Sequence, residues 1–345
     1  MYDNNSSFFN FYFQYAGYPD NTEASLVCHR WCAISAVAAY LGRDFFLPFG
    51  HKDIIPNHYI QLIGVPASKK STAIGVAKKL LAEADYTNFA PETISQEKFL
   101  MELHELTWGS DDETVKEFQL SQNIFSRDNP KELALSMPIA EYYISADEFV
   151  NFIGINNMSF ISLLGSLWDY SGVFDRKLKH TKTLYINNPT INLIAGNTHA
   201  GFNMAFPSDT VEGQGFFSRL LLIHVEPTGK KVPFPGPPSK EIAHDTIAYL
   251  KAIKRTCNGR VKFSDSAKNV CTTIYTTLED VVKDAKFQKY NGRRYTHLLK
   301  LSLVCAAARI SNVIDDIDVI MANTLLTFAE YSMPKAMGMF GKGRY

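Results

Sequence analysis

The sequence predicts an α/β fold: a mostly parallel sheet flanked by helices, preceded by a helical and hairpin element and followed by a helical lid. Three observations carry this expectation. Nearly continuous apolar runs recur at 59–63, 140–146, 191–196 and 217–225, the pattern of strands buried on both faces. Stretches of helical period stand between them, as at 71–84 and 160–170. Beyond residue 238 helical period dominates and strand signal is essentially absent.

Each element follows from its residues. Residues 1–25 alternate aromatics with Asn, Ser and Gly and read as a lead-in arm, with a turn at Pro19-Asp20-Asn21. Small and apolar residues at 29–41 predict a helix that Gly42 stops, and 45–49 with 51–55 predict a hairpin around Gly50. The strand at 59–63, a glycine-led loop and a helix over 71–84 follow, with Ile74, Ala77 and Leu81 on one side. The polar segment 86–135 shows one helical piece at 96–106. Two more strands are expected at 183–186 and 191–196. Prolines crowd 227–238, which marks a linker, and helices are expected over 239–254, 264–286, 294–311 and 315–332. The tail, 335–345, is expected to be mobile. The division that results is 1–56, an arm with helix and hairpin; 57–232, a core; and 233–345, a helical lid or bundle.

Composition narrows the functional classes. The 345 residues are 46% hydrophobic and 20% charged, an ordinary globular balance that excludes wholesale disorder. Thirty-five basic and 35 acidic residues cancel, so any polyanion site must be a local patch. Five scattered cysteines suit a reducing compartment, read here as the cytoplasm, and Cys28 with Cys32 lacks a second pair at zinc spacing. The longest apolar run, 31–41, falls short of the roughly 20 residues of a membrane span, and the aromatic N-terminus has no basic leader.

The chemistry concentrates after the first core strand. Gly64-Val65-Pro66-Ala67-Ser68-Lys69-Lys70-Ser71-Thr72 lies between a strand and a helix, the context of a phosphate-binding loop. Such a loop turns its amides inward, aims a helix N-terminus at the charge, and supplies a lysine (Lys70) for the β- and γ-phosphates and a hydroxyl (Ser71) for Mg²⁺. Lys69 stands where GxxxxGK[S/T] wants glycine; a lysine-rich helix start is the bland alternative. A second apolar strand ends in Asp147-Glu148, which offers one carboxylate to a metal and one to an attacking water; an acidic pair at a helix N-terminus is the alternative there. Asn197, with Thr198 as its local rival, is placed to hold that water. Arg219 precedes the last core strand, where a guanidinium can act on a neighbouring subunit or simply form a surface ion pair.

With His29-Arg30-Trp31, Leu41-Gly42-Arg43, Pro48-Phe49-Gly50, the loop ending Lys70-Ser71-Thr72, Ser145-Ala146-Asp147-Glu148 and Gly215-Phe216-Phe217-Ser218-Arg219, the chain resembles the helicase-like P-loop ATPases of phages and mobile elements, often associated with primases. The likeness spans roughly residues 27–310. It implies a P-loop NTPase core of AAA+ or RecA type, with ATP and Mg²⁺ bound. Lys70, Ser71 and Thr72 then map to Walker A, supported by Gly64, Ala67, Ser68 and Lys69; Asp147 and Glu148 map to Walker B, Asn197 to sensor 1 and Arg219 to an arginine finger. The helix after Arg293 resembles a ring-ATPase lid, which implies a sensor 2 role for Arg294. Arg176, Lys177, Lys179 and Lys182, with Tyr170 and Phe174 nearby, are the candidate DNA-contacting loop, a solvated basic face being the alternative.

The expected function is an ATP-dependent, ring-forming DNA helicase or translocase, hexameric and acting on single-stranded DNA in phage or mobile-element replication, with a primase as a possible partner. The rival is a P-loop ATPase that works as a nucleotide switch or an assembly and packaging factor. A degenerate loop that binds without turnover is a third reading, motivated by Lys69.

Overall fold

The structure is a computed structural model and describes residues 7–109, 130–178, 183–206, 215–279, 281–283 and 287–337. The aromatic lead-in is not an extended arm: it forms α1 (Phe8–Tyr15), which buries Phe8, Tyr12 and Tyr15. Next, α2 (Leu26–Leu41) opens on Ser25, whose hydroxyl accepts the Cys28 N–H, and closes at Gly42, where a Cβ would overlap the Glu141 carboxylate. The expected hairpin is present as β1 (Phe45–Phe49) and β2 (Lys52–Ile54). The strand, loop and helix of the phosphate-loop motif follow as β3 (Tyr59–Gly64) and α3 (Lys70–Glu83), and then α4 (Gln96–Trp108).

The second half of the core runs β4 (Glu141–Ala146), α5 (Phe149–Ile153), α6 (Met158–Leu167), β5 (Val173–Lys177), β6 (Thr183–Asn187), β7 (Thr190–Asn197), α7 (His199–Ala205) and β8 (Leu220–Val225). The expected strand at 217–225 starts late, because Phe217–Arg219 form a 3₁₀ turn. After the prolines come α8 (Lys240–Thr256), β9 (Gly259–Arg260), β10 (Lys262–Phe263), α9 (Asp265–Thr277), α10 (Arg294–Ala308), β11 (Val313–Ile314) and α11 (Asp316–Met337).

Four strands form an all-parallel sheet in the order β4-β7-β3-β8, with β3 and β7 buried along their whole length. A single parallel bridge, Phe89 to Tyr143, continues it beyond β4. Side chains alternate between two covered faces. On one, Tyr143 receives a hydrogen bond from Ser35 of α2, and α3 packs against β4 and β7. On the other, Tyr59 donates to the Leu164 carbonyl of α6, while α7 and α11 cover β3 and β8. The chain leaves β3 for β4 past β7, and leaves β7 for β8 past β3, so the two connections run in opposite directions and frame a crevice at the carboxyl ends of these strands, the usual ligand position in open α/β sheets.

Two expectations need correction. The strand at 183–187 does not join this sheet; it pairs antiparallel with β5, a strand inside the segment expected to be a DNA-contacting loop. The C-terminal third is not purely helical either. Its two-residue β9 pairs parallel with β1, and β10 pairs with β11. The first 56 residues therefore clasp the C-terminal elements, and α1 against α8 strengthens the clasp: Phe8 and Phe11 meet the Tyr249 ring, and Thr246 donates to the Phe11 carbonyl. One contiguous apolar core runs from Phe8 to Met337. Among the described residues, no helix is long and apolar enough to cross a membrane.

The amino edge of the sheet holds the most polar part of the interior. Lys300 of α10 is fully buried, reaches Asp169 at 3.1 Å and the Ile55 carbonyl at 3.1 Å, and lies 4.4 Å from the Trp168 ring. Burial pushes its pKa down to about 8 against the opposing pull of Asp169. Beside it His297 contacts the Ser218 carbonyl at 3.1 Å, and burial lowers its pKa to about 4; His29 is likewise lowered to about 4 and His58 goes well below its usual value. Each histidine folds neutral, so its stabilisation is complete above the unfolded value near 6.5 and is lost as pH falls towards 4. The urea midpoint should drop steeply between pH 6.5 and 4.5, and His297→Asn should flatten that slope by about one proton. An unchanged slope would show that His297 does not take up the proton.

Candidate functional site

The crevice is lined from three strand ends. At the end of β3, Gly64 sits where a Cβ would fall 2.1 Å from the Val225 carbonyl oxygen of β8, so no other residue lets the two strands approach. The chain then turns through Ala67 (φ 63°) and Lys69 (φ 60°, ψ 27°), both left-handed, before α3 begins at Lys70. Glycine adopts such an angle freely. A lysine there takes the same backbone at a cost of roughly 1 kcal/mol.

Lys70 folds back over the loop. Its ammonium donates to the Gly64 carbonyl at 3.0 Å, the Val65 carbonyl at 3.0 Å and the Ser68 hydroxyl at 2.9 Å; that hydroxyl in turn donates to Val65 at 2.8 Å. All three ammonium protons are thus held inside the turn. Burial lowers the Lys70 pKa, and the Cys28 thiol and Glu148 carboxylate oppose the shift. No side chain caps the first turn of α3, where Ser71 and Thr72 are exposed. Its leading amides therefore have no side-chain partner within the helix start.

The acidic pair arrives from β4. A Cβ on Gly196 of β7 would stand 2.5 Å from the Asp147 carbonyl oxygen and 3.6 Å from the Lys70 Cβ, so Asp147, Gly196 and the Lys70 stem meet at one point. Asp147 is exposed and Glu148 half-buried. Glu148 stands at the N-cap position of α5 and makes no side-chain capping hydrogen bond, so the pair does sit at a helix N-terminus, as the alternative reading expected. Asn197, at the end of β7, is fully buried; its amide donates to Gln61 Oε1 at 2.8 Å and its Oδ1 has no partner among the described residues. Thr198, the local rival, is committed to capping α7 by accepting the Gly201 N–H.

Other expected site residues lie elsewhere. Tyr59 pairs with Leu220 and Gly64 with Val225, so Arg219 stands at the amino edge, roughly 20 Å of strand from the loop. There its guanidinium donates to the Gly215 carbonyl and lies 6.0 Å from the Trp168 ring. Burial and nearby Arg293 lower its pKa. Arg294 requires correction: it is buried, its Nε and Nη2 grip Glu330 at 2.7 and 3.1 Å, and Nη2 also reaches Asn323 at 3.0 Å. Those contacts tie α10 to α11 and leave it no reach towards Lys70. Arg176 and Lys177 are exposed on β5, whereas Lys179 and Lys182 lie outside the described residues.

One participant escaped the sequence reading altogether. Glu23 binds the Lys69 ammonium at 2.6 Å and accepts the Val232 N–H at 2.9 Å, which joins the N-terminal segment, the loop and the proline-rich strap. The Lys69 contact, then the Val232 N–H, lowers the Glu23 pKa. No spacing rule links positions 23, 69 and 232. Gly196 was also passed over, although a glycine inside a buried strand signals close backbone approach.

A comparison with protein-family models finds no match to this chain, and neither does a comparison with curated proteins.

Two substitutions test the geometry by thermal melting. Lys69→Val, β-branched at a left-handed angle, should melt below Lys69→Gly, which adopts that angle freely. Gly196→Ala should cost about 1–3 kcal/mol, because Asp147 must move off β7; a wild-type melting temperature would refute the close approach.

Proposed function

We propose that this protein is a P-loop nucleoside triphosphatase, and specifically an ATP- and Mg²⁺-dependent ring motor that translocates on single-stranded DNA in phage or mobile-element replication. The observation that carries the reading is the meeting of Lys70, Gly196 and Asp147 at the carboxyl edge of the sheet, with Glu148 near enough to act on the Lys70 charge. A strand–loop–helix alone is common. A buried lysine coiled inside such a loop, with the Asp147 backbone beside its stem and an Asp-Glu pair entering from a second strand end, supports phosphoryl transfer to water.

In this reading Lys70 exchanges the Gly64 and Val65 carbonyls for the β- and γ-phosphate oxygens, and the amides from Ala67 to Thr72 with the α3 N-terminus receive the remaining charge. Ser71 and Asp147 would supply the oxygen donors that a hard divalent cation prefers, and Mg²⁺ bound there would offset negative charge on the phosphates. Glu148 takes the proton of the attacking water. Asn197, with its free Oδ1, orients that water. Arg219 cannot reach the loop of its own chain, so it acts on the nucleotide of an adjacent copy, and the active particle is a homo-oligomer, read as a hexamer. Arg176 and Lys177, exposed on β5, face the single strand, and a primase is a possible partner.

One observation favours the rival reading, a nucleotide switch or an assembly and packaging factor. The Glu23–Lys69 pair couples the loop to the N-terminal segment and the strap, as a conformational relay requires. Hydrolysis stimulated by DNA, with strand displacement on a forked substrate, separates the motor from the switch.

Lys70→Ala should lower kcat for ATP at least about a hundredfold, in line with the loss of an electrostatic contact to the transition state. Glu148→Gln should bind ATP yet hydrolyse it at least about a hundredfold more slowly, as expected for loss of the general base. Mixing Lys70→Ala and Arg219→Ala subunits should restore part of the rate, because some interfaces then pair an intact loop with an intact arginine; inactive mixtures would count against action between copies.

A further inference from the structure

A cleft of about 330 Å³ opens directly beside the loop. Lys69 and Thr72 line its loop side, α3 contributes Val76 and Lys79 one and two turns further on, and the N-terminal segment around 15–24 and the proline-rich strap at 232–238 complete the lining. These walls are fastened to each other. Asn21 exchanges two hydrogen bonds with the Gly236 backbone, at 2.7 and 2.9 Å; Glu23 accepts the Val232 N–H; and Thr228 donates to the Glu23 carbonyl at 2.8 Å. The cleft is therefore a built cavity rather than a gap between loose segments.

Apart from Thr72 at the loop and Lys79 further along α3, its polar side chains are already occupied. Asn21 is spent on Gly236, Glu23 on Lys69 and Val232, Thr22 on His29 and the Ala24 N–H, and the Tyr15 hydroxyl on Glu83. The apolar part of the lining is Val76, Val232 and the strap prolines. The rim ammonium, Lys79, is exposed and lies 3.7 Å from Glu83.

We propose that this cleft is the nucleoside subsite of the triphosphate site and that it accepts the base by burial alone, without reading its hydrogen-bonding edge. The inference rests on the phosphate-loop reading and adds the ligand class: purine nucleoside triphosphates in general rather than ATP in particular. A triphosphate seated against Lys69–Thr72 has this cavity as its neighbour, and a flat heteroaromatic ring gains by leaving water for proline and valine surface. Discrimination between bases requires side chains that are left unpaired by the wrong edge. Sites of that kind separate analogues by about 10⁴–10⁵, whereas apolar pockets separate them by about 10². Adenine and guanine differ only at edge groups, and beyond the loop residues the exposed Lys79 is, among the described residues, the one lining side chain left to meet them.

The test is competition against a fluorescent ATP analogue with Mg²⁺, using ATP, GTP and inorganic tripolyphosphate, on the wild type, Val76→Trp and Lys79→Trp; circular dichroism checks the fold. The exposed Lys79 position keeps the experiment available should Val76→Trp fail to fold. ATP and GTP affinities within about tenfold of each other are expected, with both weakened at least about tenfold by a cleft-filling tryptophan while tripolyphosphate binding changes less than about threefold. A preference for one purine of about a thousandfold or more overturns the inference, because it exceeds what an apolar pocket gives and the edge is then being read. Tryptophan variants that bind ATP as the wild type does also overturn it and leave the loop assignment standing. Absence of tripolyphosphate binding together with absence of nucleotide binding in the wild type removes both.

Discussion

Two contacts that admit no side chain set the geometry of the carboxyl edge. Gly64 lies against the Val225 carbonyl and Gly196 against the Asp147 carbonyl, and together they draw the ends of β8, β3, β7 and β4 close enough for one lysine to touch the arrangement from within. The constraint is steric and therefore steep. A methyl group at either position must displace backbone rather than a pliable side chain. Everything chemical at this edge, from the coiled Lys70 to the approach of Glu148, is downstream of that close packing.

The loop shows how a rule of sequence and a rule of conformation can part company. Glycine is favoured before the lysine because the backbone there turns left-handed. Lys69 makes the same turn and brings a side chain with it, and Glu23 holds that side chain. The modest strain at one residue thus accompanies a link from the loop to the N-terminal segment and onward through Val232 to the strap. A glycine would relax the backbone and sever that link.

The opposite edge of the sheet is organised by charge rather than by close approach. Trp168 is ringed by Arg219, Arg293 and Lys300, with Asp169 as the acidic counterweight. Buried charge is costly unless paired, and Lys300 is satisfied by the Ile55 carbonyl, Asn57 and Asp169 together. The cluster joins α10 to the start of β3 and the 3₁₀ turn before β8. It fixes where Arg219 is presented, at the far side of the sheet from its own loop. Arg294, its neighbour in the helix sequence of basic residues, is instead drawn inward by Glu330.

Sequence alone determined the buried strands, the helix after the glycine-led loop and the acidic pair at the end of β4, because continuous apolar runs and a strand–loop–helix order are local properties of the chain. The order of the strands was not legible, since pairing depends on which buried surfaces fit across more than a hundred residues. So it was with β6, whose alternating burial suits a hairpin with β5 as well as a sheet edge, and with the aromatic first helix, whose partner Tyr249 lies far along the chain. Basic residues were the least readable. Arg219, Arg294 and Lys69 look alike in sequence, and only the tertiary structure decided that one faces a tryptophan, one a buried glutamate and one an N-terminal carboxylate, because a guanidinium or ammonium takes its role from whichever anion or ring the fold brings within reach.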